Sequence, residues 1–161
     1  MPAELALRLT GGRDNTDPAL SLGGETSVWP VALHDLFGPV SFADAMGGLV
    51  EHRGLAVVNE GNQGARRVRA WTEVGPDGEA NLELGYSDRP DWHVRCPEGR
   101  AELAPRDHFS RQVTLAPHGP DAPLELPELA PGNEVRLWLR RTIAPKSGGG
   151  KDQERLRLTW L

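Results

Sequence analysis

The chain lacks several features that mark common classes of protein. It has a single cysteine, Cys96, so no disulfide can form within its 161 residues. No run of about 18 apolar residues is present, so the sequence predicts no membrane span and no membrane partner. The N-terminus lacks the basic segment and apolar stretch of a secretory signal, so we expect synthesis in the cytoplasm. A disulfide-stabilised secreted domain is not expected.

The chain also lacks an excess of basic residues over acidic ones. The formal net charge is −5, which argues against a nucleic-acid partner because phosphate neutralisation supplies most non-specific affinity. Lysine occurs only as Lys146 and Lys151 among 18 cationic residues. Arginine forms bidentate and stacked contacts, so this bias suits protein interfaces, although a GC-rich genome predicts the same composition. The arginine bias therefore leaves an interface role open.

A strict period of two is the clearest pattern that the sequence does contain. Over residues 134–142, apolar side chains alternate with arginine and tryptophan, which a helix cannot use to form one apolar face. The pattern predicts a strand of a half-buried antiparallel sheet. Its inward face would be Val135, Leu137 and Leu139, and its outward face Arg136, Trp138 and Arg140.

Further strand signals recur along the chain and are separated by turns. The sequence contains 19 glycines and 14 prolines, so strands are expected to be short. Residues 41–46 predict one or two helical turns. Asp77-Gly78 predicts a hairpin between its flanking strands, and residues 146–151 predict a hairpin tip between the last two. These signals predict an all-β protein, an immunoglobulin-like or jelly-roll-like β-sandwich with long loops and little helix. The predicted strands cover residues 5–9, 52–59, 66–73, 80–86, 108–115, 134–142 and 154–160.

The chain is predicted to form a single domain with two parts. Residues 1–24 supply an N-terminal strand and an ordered, glycine-bracketed loop, and residues 25–161 supply the sandwich. Leu20 and Leu22 lie in a loop that looks too open to bury them, so we expect them to contact a neighbouring subunit. Deletion of residues 1–24 is then expected to leave the sandwich folded.

Residues capable of catalysis or metal binding do not form a recognisable motif. Asp14, Asn15 and Asp17 have oxygen ligands, but the glycine and glutamate of a calcium loop are missing, so a turn stabilised by these side chains is favoured. Cys96 with His93 or His108 and Asp107 lacks any local signature of a nucleophile or a zinc site. The sequence therefore predicts no catalytic residue, no metal and no cofactor.

The tryptophans are candidates for either core packing or partner contact. Trp71, Trp138 and Trp160 lie in predicted strands. Trp138 between Arg136 and Arg140 has the composition of a binding hot spot, so an interface is favoured there. Trp29 and Trp92 lie in loops and are predicted to contact a partner.

Several segments of the chain carry a resemblance when they are taken together. They are Leu9–Gly24, Asp35–Phe37, Gly54–Glu60, Val68–Trp71 and Leu129–Thr142. The most specific part is the stretch from Asn15–Pro18 to Leu22–Gly24. These segments are similar to a family of small virion structural proteins from tailed bacteriophages, and the likeness extends from about Leu5 to Thr142.

The resemblance implies a non-enzymatic component of the phage particle. Its expected location is the virion, and its expected partners are the major capsid protein or other virion proteins, with self-association into a homo-oligomer. We expect a capsid decoration or cement protein on the lattice of the major capsid protein. The alternatives are a neck, tail or fibre-associated domain, and a carbohydrate-binding β-sandwich module.

Overall fold

The protein is an all-β sandwich, as predicted from the alternation of its strands. The computed structural model describes residues 2–31, 36–37, 42–73, 81–87, 95–106, 111–143 and 155–161. The α-helix of this part, α1 (Phe42–Gly47), is short and confirms the helical turns predicted over 41–46, and 3₁₀ helices lie at Pro18–Leu20 and Pro97–Gly99. The strands are β1 (Leu5–Leu9), β2 (Leu49–Asn59), β3 (Arg69–Glu73), β4 (Asn81–Ser87), β5 (Leu124–Glu125), β6 (Glu134–Ile143) and β7 (Arg155–Thr159).

The strands form two antiparallel sheets. The large sheet has the order β1-β2-β6-β4, and the small sheet has the order β5-β3-β7. Two predicted hairpins are therefore wrong, because β3 and β4 lie in different sheets, and so do β6 and β7. Turn residues such as Asp77-Gly78 predict a reversal of the chain but not the strand that the chain pairs with afterwards.

The main core lies between the two sheets. Alternate residues of β2 and β6 face it, because successive side chains on a strand point to opposite faces. Leu55 of β2 is in register with Leu137 of β6, and Leu84 of β4 with Leu139. The small sheet contributes Ala70 and Leu156 to the same cluster. The apolar positions of the alternating pattern thus form the face of the large sheet that packs against the small sheet.

The opposite face of the large sheet is covered as well, and Trp138 lies at its centre. Trp138 is in register with Gly54 of β2 and Gly85 of β4, and its side chain is fully buried. A Cβ at Gly54 would lie 2.9 Å from the nearest ring carbon of Trp138. Gly54, which has no side chain, therefore makes room for the indole, which packs in a cluster with Leu22, Cys96 and Val113.

This burial corrects the prediction that β6 presents an outward Arg–Trp face. Trp138 is 0% exposed and Arg136 is 1% exposed, so neither can contact a partner in this state. Alternation along a strand defines two faces, but it does not tell whether loops cover the second one. Gly54 and Gly85, two glycines inside predicted strands, were the available signal, since strand glycine often marks a close approach.

Several buried arginines connect loops to the large sheet through hydrogen bonds and ring contacts. Arg136 donates a hydrogen bond to the Gly24 carbonyl, and its neighbour Glu134 accepts one from the Thr26 hydroxyl at 2.6 Å. At the other end of the sheet, the guanidinium carbons of Arg53 and Arg141 lie 5.0 and 4.9 Å from the Phe37 ring centroid. Glu51 forms ion pairs with both of these arginines. Buried charges in proteins need such partners.

Neighbouring segments occupy both edges of the large sheet. Residues 27–31 run beside β1, where the Val31 amide donates to the Leu7 carbonyl at 3.0 Å and the Leu9 amide to the Trp29 carbonyl at 3.1 Å. At the other edge, β4 forms a bridge between Leu84 and Ala116. At these positions the neighbouring segments therefore hinder strand addition to the large sheet.

The predicted strand over residues 108–115 is not formed in its described part. Residues 107–110 lie outside the described residues, and from residue 111 onward the segment makes isolated bridges only. The Val113 amide donates to the Pro105 carbonyl at 2.9 Å, while the Val113 side chain joins the Trp138 cluster. The segment thus crosses over the sheet face instead of extending along a strand.

We predict that Gly54→Ala lowers the free energy of unfolding by about 1–3 kcal/mol, the usual cost of overpacking. The added methyl group would collide with the buried Trp138 ring. The matched control is Gly64→Ala, where the nearest atom to a new Cβ is 3.8 Å away. Urea denaturation measures both, and equal stabilities of the two variants would contradict the packing described here.

Candidate interaction surface

The loop that follows β1 reverses direction at glycines and returns along the edge of the sheet. Gly11 has a φ of +93°, and a Cβ there would lie 2.1 Å from the Leu20 carbonyl oxygen, so only glycine fits. The Gly12 amide donates to the Glu25 carbonyl at 3.0 Å. The two arms of the loop are thereby held side by side.

Short polar side chains fix this loop to the large sheet. The Thr10 amide donates to Ser21 Oγ at 2.9 Å, and the Gly54 amide of β2 donates to the Ser21 carbonyl at 2.6 Å. The Thr10 and Ser21 hydroxyls both donate to the Gly54 carbonyl. Thr10 and Ser21 are fully buried, so the loop is tied to the strand that carries Gly54.

A second set of bonds stabilises the tip of the loop. The Asp17 amide donates to Asn15 Oδ1 at 2.9 Å, and the Ala19 amide donates to Asp17 Oδ1 at 2.9 Å. Asn15 Nδ2 donates to the Thr10 carbonyl at 2.6 Å. The side-chain turn predicted for Asn15 and Asp17 is therefore confirmed.

Three large apolar side chains project from the fixed loop into solvent. Leu20 is 59% exposed, Val28 is 50% exposed and Trp29 is 51% exposed. We call these three residues the N-terminal patch. Because hydrogen bonds hold their backbone, a partner would not have to order the loop on binding, which lowers the entropic cost of association. Leu20 and Trp29 were singled out in the sequence, whereas Val28, adjacent to Trp29, was missed.

The remaining predicted contact residues do not join this patch. Leu22 is buried within its own chain, beside Trp138, so the prediction that it needs a neighbouring subunit is wrong. Arg136 and Trp138 are covered, as described above. Arg140 is partly exposed and forms a bidentate pair with Glu83, at 3.0 Å through Nε and 2.7 Å through Nη2. Trp92 lies outside the described residues.

Residues 2–24 are an integral part of the sandwich. They contain β1, which pairs with β2 over five residue positions, and Leu22, which packs beside Trp138. Their removal would expose the edge of β2 and take Leu22 out of the Trp138 cluster. The expectation that the sandwich folds without them is therefore not supported, and the role of the patch has to be tested by point substitution.

His52 lies on the covered face of the large sheet with one ring nitrogen in use. Its Nδ1–H donates to the Ala101 carbonyl at 2.8 Å, and the side chain is buried. Burial lowers the pKa of His52 below its usual 6.5, with a smaller contribution from the nearby Arg140, while the Ala101 bond and Glu83 oppose the shift. The imidazole is thus held neutral.

Cys96 has the environment of a structural thiol. It is fully buried in the Trp138 cluster, and burial raises the pKa of the thiol to about 12. Nucleophilic cysteines instead have a lowered pKa and partial exposure. His93, Asp107 and His108, considered with Cys96 in the sequence, lie outside the described residues. Among the residues that are described, no three His, Cys, Asp or Glu side chains are grouped to hold a metal ion.

Comparisons with known proteins add no relative. No family model, no curated protein and no solved structure matches this chain. Within the described ranges, no helix has both the length and the apolar character needed to cross a membrane.

We predict that His52 makes the protein less stable below about pH 6.5. Its pKa is lower in the folded state than in the unfolded state, so the unfolded chain binds the proton more readily as the pH falls. The slope from this one group is at most about 1.4 kcal/mol per pH unit. Urea denaturation between pH 7.5 and 5.5 should show a smaller loss in His52→Gln, which keeps a donor for Ala101. Equal slopes for both proteins would reject this account.

We predict that Cys96 does not react with a thiol reagent in the folded protein. At pH 8 a thiol with a pKa of about 12 is almost entirely protonated, and the side chain is inaccessible. A colorimetric disulfide reagent should label the chain only after denaturation, with Cys96→Ser as the background control. Stoichiometric labelling of the native protein within minutes would contradict the structural role.

Proposed function

We propose that this protein is a non-enzymatic structural component of a phage virion, a capsid decoration protein that binds the lattice of the major capsid protein. The observation that carries the proposal is the N-terminal patch. Leu20, Val28 and Trp29 are each at least half exposed on a loop whose backbone is fixed by hydrogen bonds. Large apolar side chains that an ordered loop holds in solvent are candidates for contact with a partner.

The resemblance noted in the sequence supports the same location. Its most specific stretch, from Asn15–Pro18 to Leu22–Gly24, forms the loop that carries Leu20. In this structure the stretch supplies the turn at Asn15 and Asp17 and the buried anchors Ser21 and Leu22. The residues behind the likeness are therefore those that hold Leu20, one member of the patch, in position.

A small patch suffices for a protein that acts in many copies. Repetition on a symmetric lattice allows several weak contacts to act together, so the affinity of each one can be modest. A tail or neck position would use the same patch with fewer copies. Gel densitometry of purified virions separates the two positions, since a decoration protein approaches the abundance of the major capsid protein.

We predict that Leu20→Ser combined with Trp29→Ala weakens binding to capsids at least tenfold. Loss of two half-exposed apolar contacts of this size removes at least about 1.4 kcal/mol of binding free energy. Binding is measured by co-sedimentation with capsids that were prepared without this protein. Both side chains are exposed, so the fold should be retained, which thermal unfolding verifies.

The matched control is Leu161→Ser. Leu161 is 71% exposed, and it contacts Arg66 through its backbone alone in the bonds described. The control should bind capsids like the unaltered protein. Undiminished binding by the double variant would reject the N-terminal patch as the capsid contact.

A further inference from the structure

The outer face of the small sheet carries a tryptophan that the core does not use. In β3, Ala70 and Thr72 are buried, whereas Arg69, Trp71 and Glu73 lie on the opposite, outer face. Arg157 of β7 is in register with Trp71, and Thr159 is in register with Arg69. A partly exposed indole is thus surrounded by polar and charged side chains.

Trp138 and Trp160, in contrast to Trp71, have structural roles. Trp138 is fully buried, and Trp160 packs against the main core and donates to the Ala3 carbonyl at 3.2 Å. Trp71 belongs to neither of the apolar clusters described. Its Nε1 lies 3.5 Å from Glu73 Oε1, at the outer limit of a hydrogen bond. Among the described residues, the two apolar clusters therefore do not account for a tryptophan at position 71.

The charges around Trp71 are paired with each other. Arg157 Nε lies 3.2 Å from Glu73 Oε2, and Arg69 Nε lies 3.3 Å from Glu125 Oε1. All four side chains are exposed, and their formal charges cancel. The face consequently offers no electrostatic advantage to nucleic acid or to a strongly charged partner.

The composition of this face also does not suit a protein partner. Protein interfaces bury several apolar or aromatic anchors at their centre, ringed by polar groups. Here, among the residues described on the outer face of β3 and β7, Trp71 is the one aromatic group. Its neighbours are guanidinium, carboxylate and hydroxyl groups with both donor and acceptor capacity.

We propose that the outer face of the small sheet binds a neutral carbohydrate. The apolar C–H face of a pyranose ring would pack on the Trp71 indole, which offers a flat apolar surface. Each sugar hydroxyl both donates and accepts, and Arg157, Glu73 and Thr159 supply the matching groups at the rim. This inference specifies a site for the carbohydrate-binding alternative and does not depend on the capsid role.

Isothermal titration of the full-length protein with cellotriose, maltotriose and chitotriose tests the site. We expect saturable binding of at least one trisaccharide. Trp71→Ala should weaken this binding at least tenfold, and Trp71→Phe should weaken it less, because phenylalanine keeps part of the stacking surface. Trp29→Ala, which removes an exposed tryptophan from the N-terminal patch, should leave sugar binding unchanged.

Absence of binding to all three trisaccharides would overturn the proposal, and so would equal affinity of Trp71→Ala and the unaltered protein. Should Trp71→Ala fail to fold, Arg157→Ala serves in its place, with the same expected loss. A change in self-association on substitution of Trp71, measured by sedimentation without any sugar binding, would assign the face to a protein contact and also overturn it. Capsid co-sedimentation of Trp71→Ala should be normal, so the two proposals fail separately.

Discussion

The rest of the structure depends on the packing of Trp138 against the backbone of β2 at Gly54. Gly54 leaves space for the indole, and Gly85 leaves room for the Thr114 carbonyl to approach β4. The ring gives the second face of the large sheet an apolar centre. Leu22, Cys96 and Val113 pack there, bringing three separate loops onto the sheet. Because Leu22 belongs to the same loop as Leu20, this buried contact also determines where the exposed patch stands.

Arginine, abundant in this chain, has two distinct uses in the fold. Arg136 is buried and bonded to the Gly24 carbonyl, and Arg53 and Arg141 enclose Phe37 while sharing Glu51. These guanidiniums connect loops to the large sheet, for which several donors in a planar group are well suited. Arg69 and Arg157 remain at the surface of the small sheet, paired with Glu125 and Glu73. A surface of arginine and tryptophan, which was expected on β6, is found instead on the small sheet around Trp71.

The sequence predicted the strands more successfully than their partners. Alternation is a local property, so β1, β2 and β6 could be recognised from the spacing of residues such as Leu5, Leu7 and Leu9. Pairing depends on where the chain goes after a turn, which explains why β3 and β4 were wrongly joined. Burial of Trp138 depends on loops far away in sequence. Exposure of Leu20 and Trp29 was foreseeable because glycine and proline keep their segments out of regular strands.

The segments beside the edge strands of the large sheet affect how copies of this protein can pack together. Pro30 has no amide hydrogen to offer, and the segment around it already occupies the side of β1, while Ala116 occupies the side of β4. Main-chain pairing between copies through this sheet is therefore disfavoured, even at high local concentration. Contacts between copies through the large sheet are expected to use side chains, whose geometry limits how far an ordered array can grow.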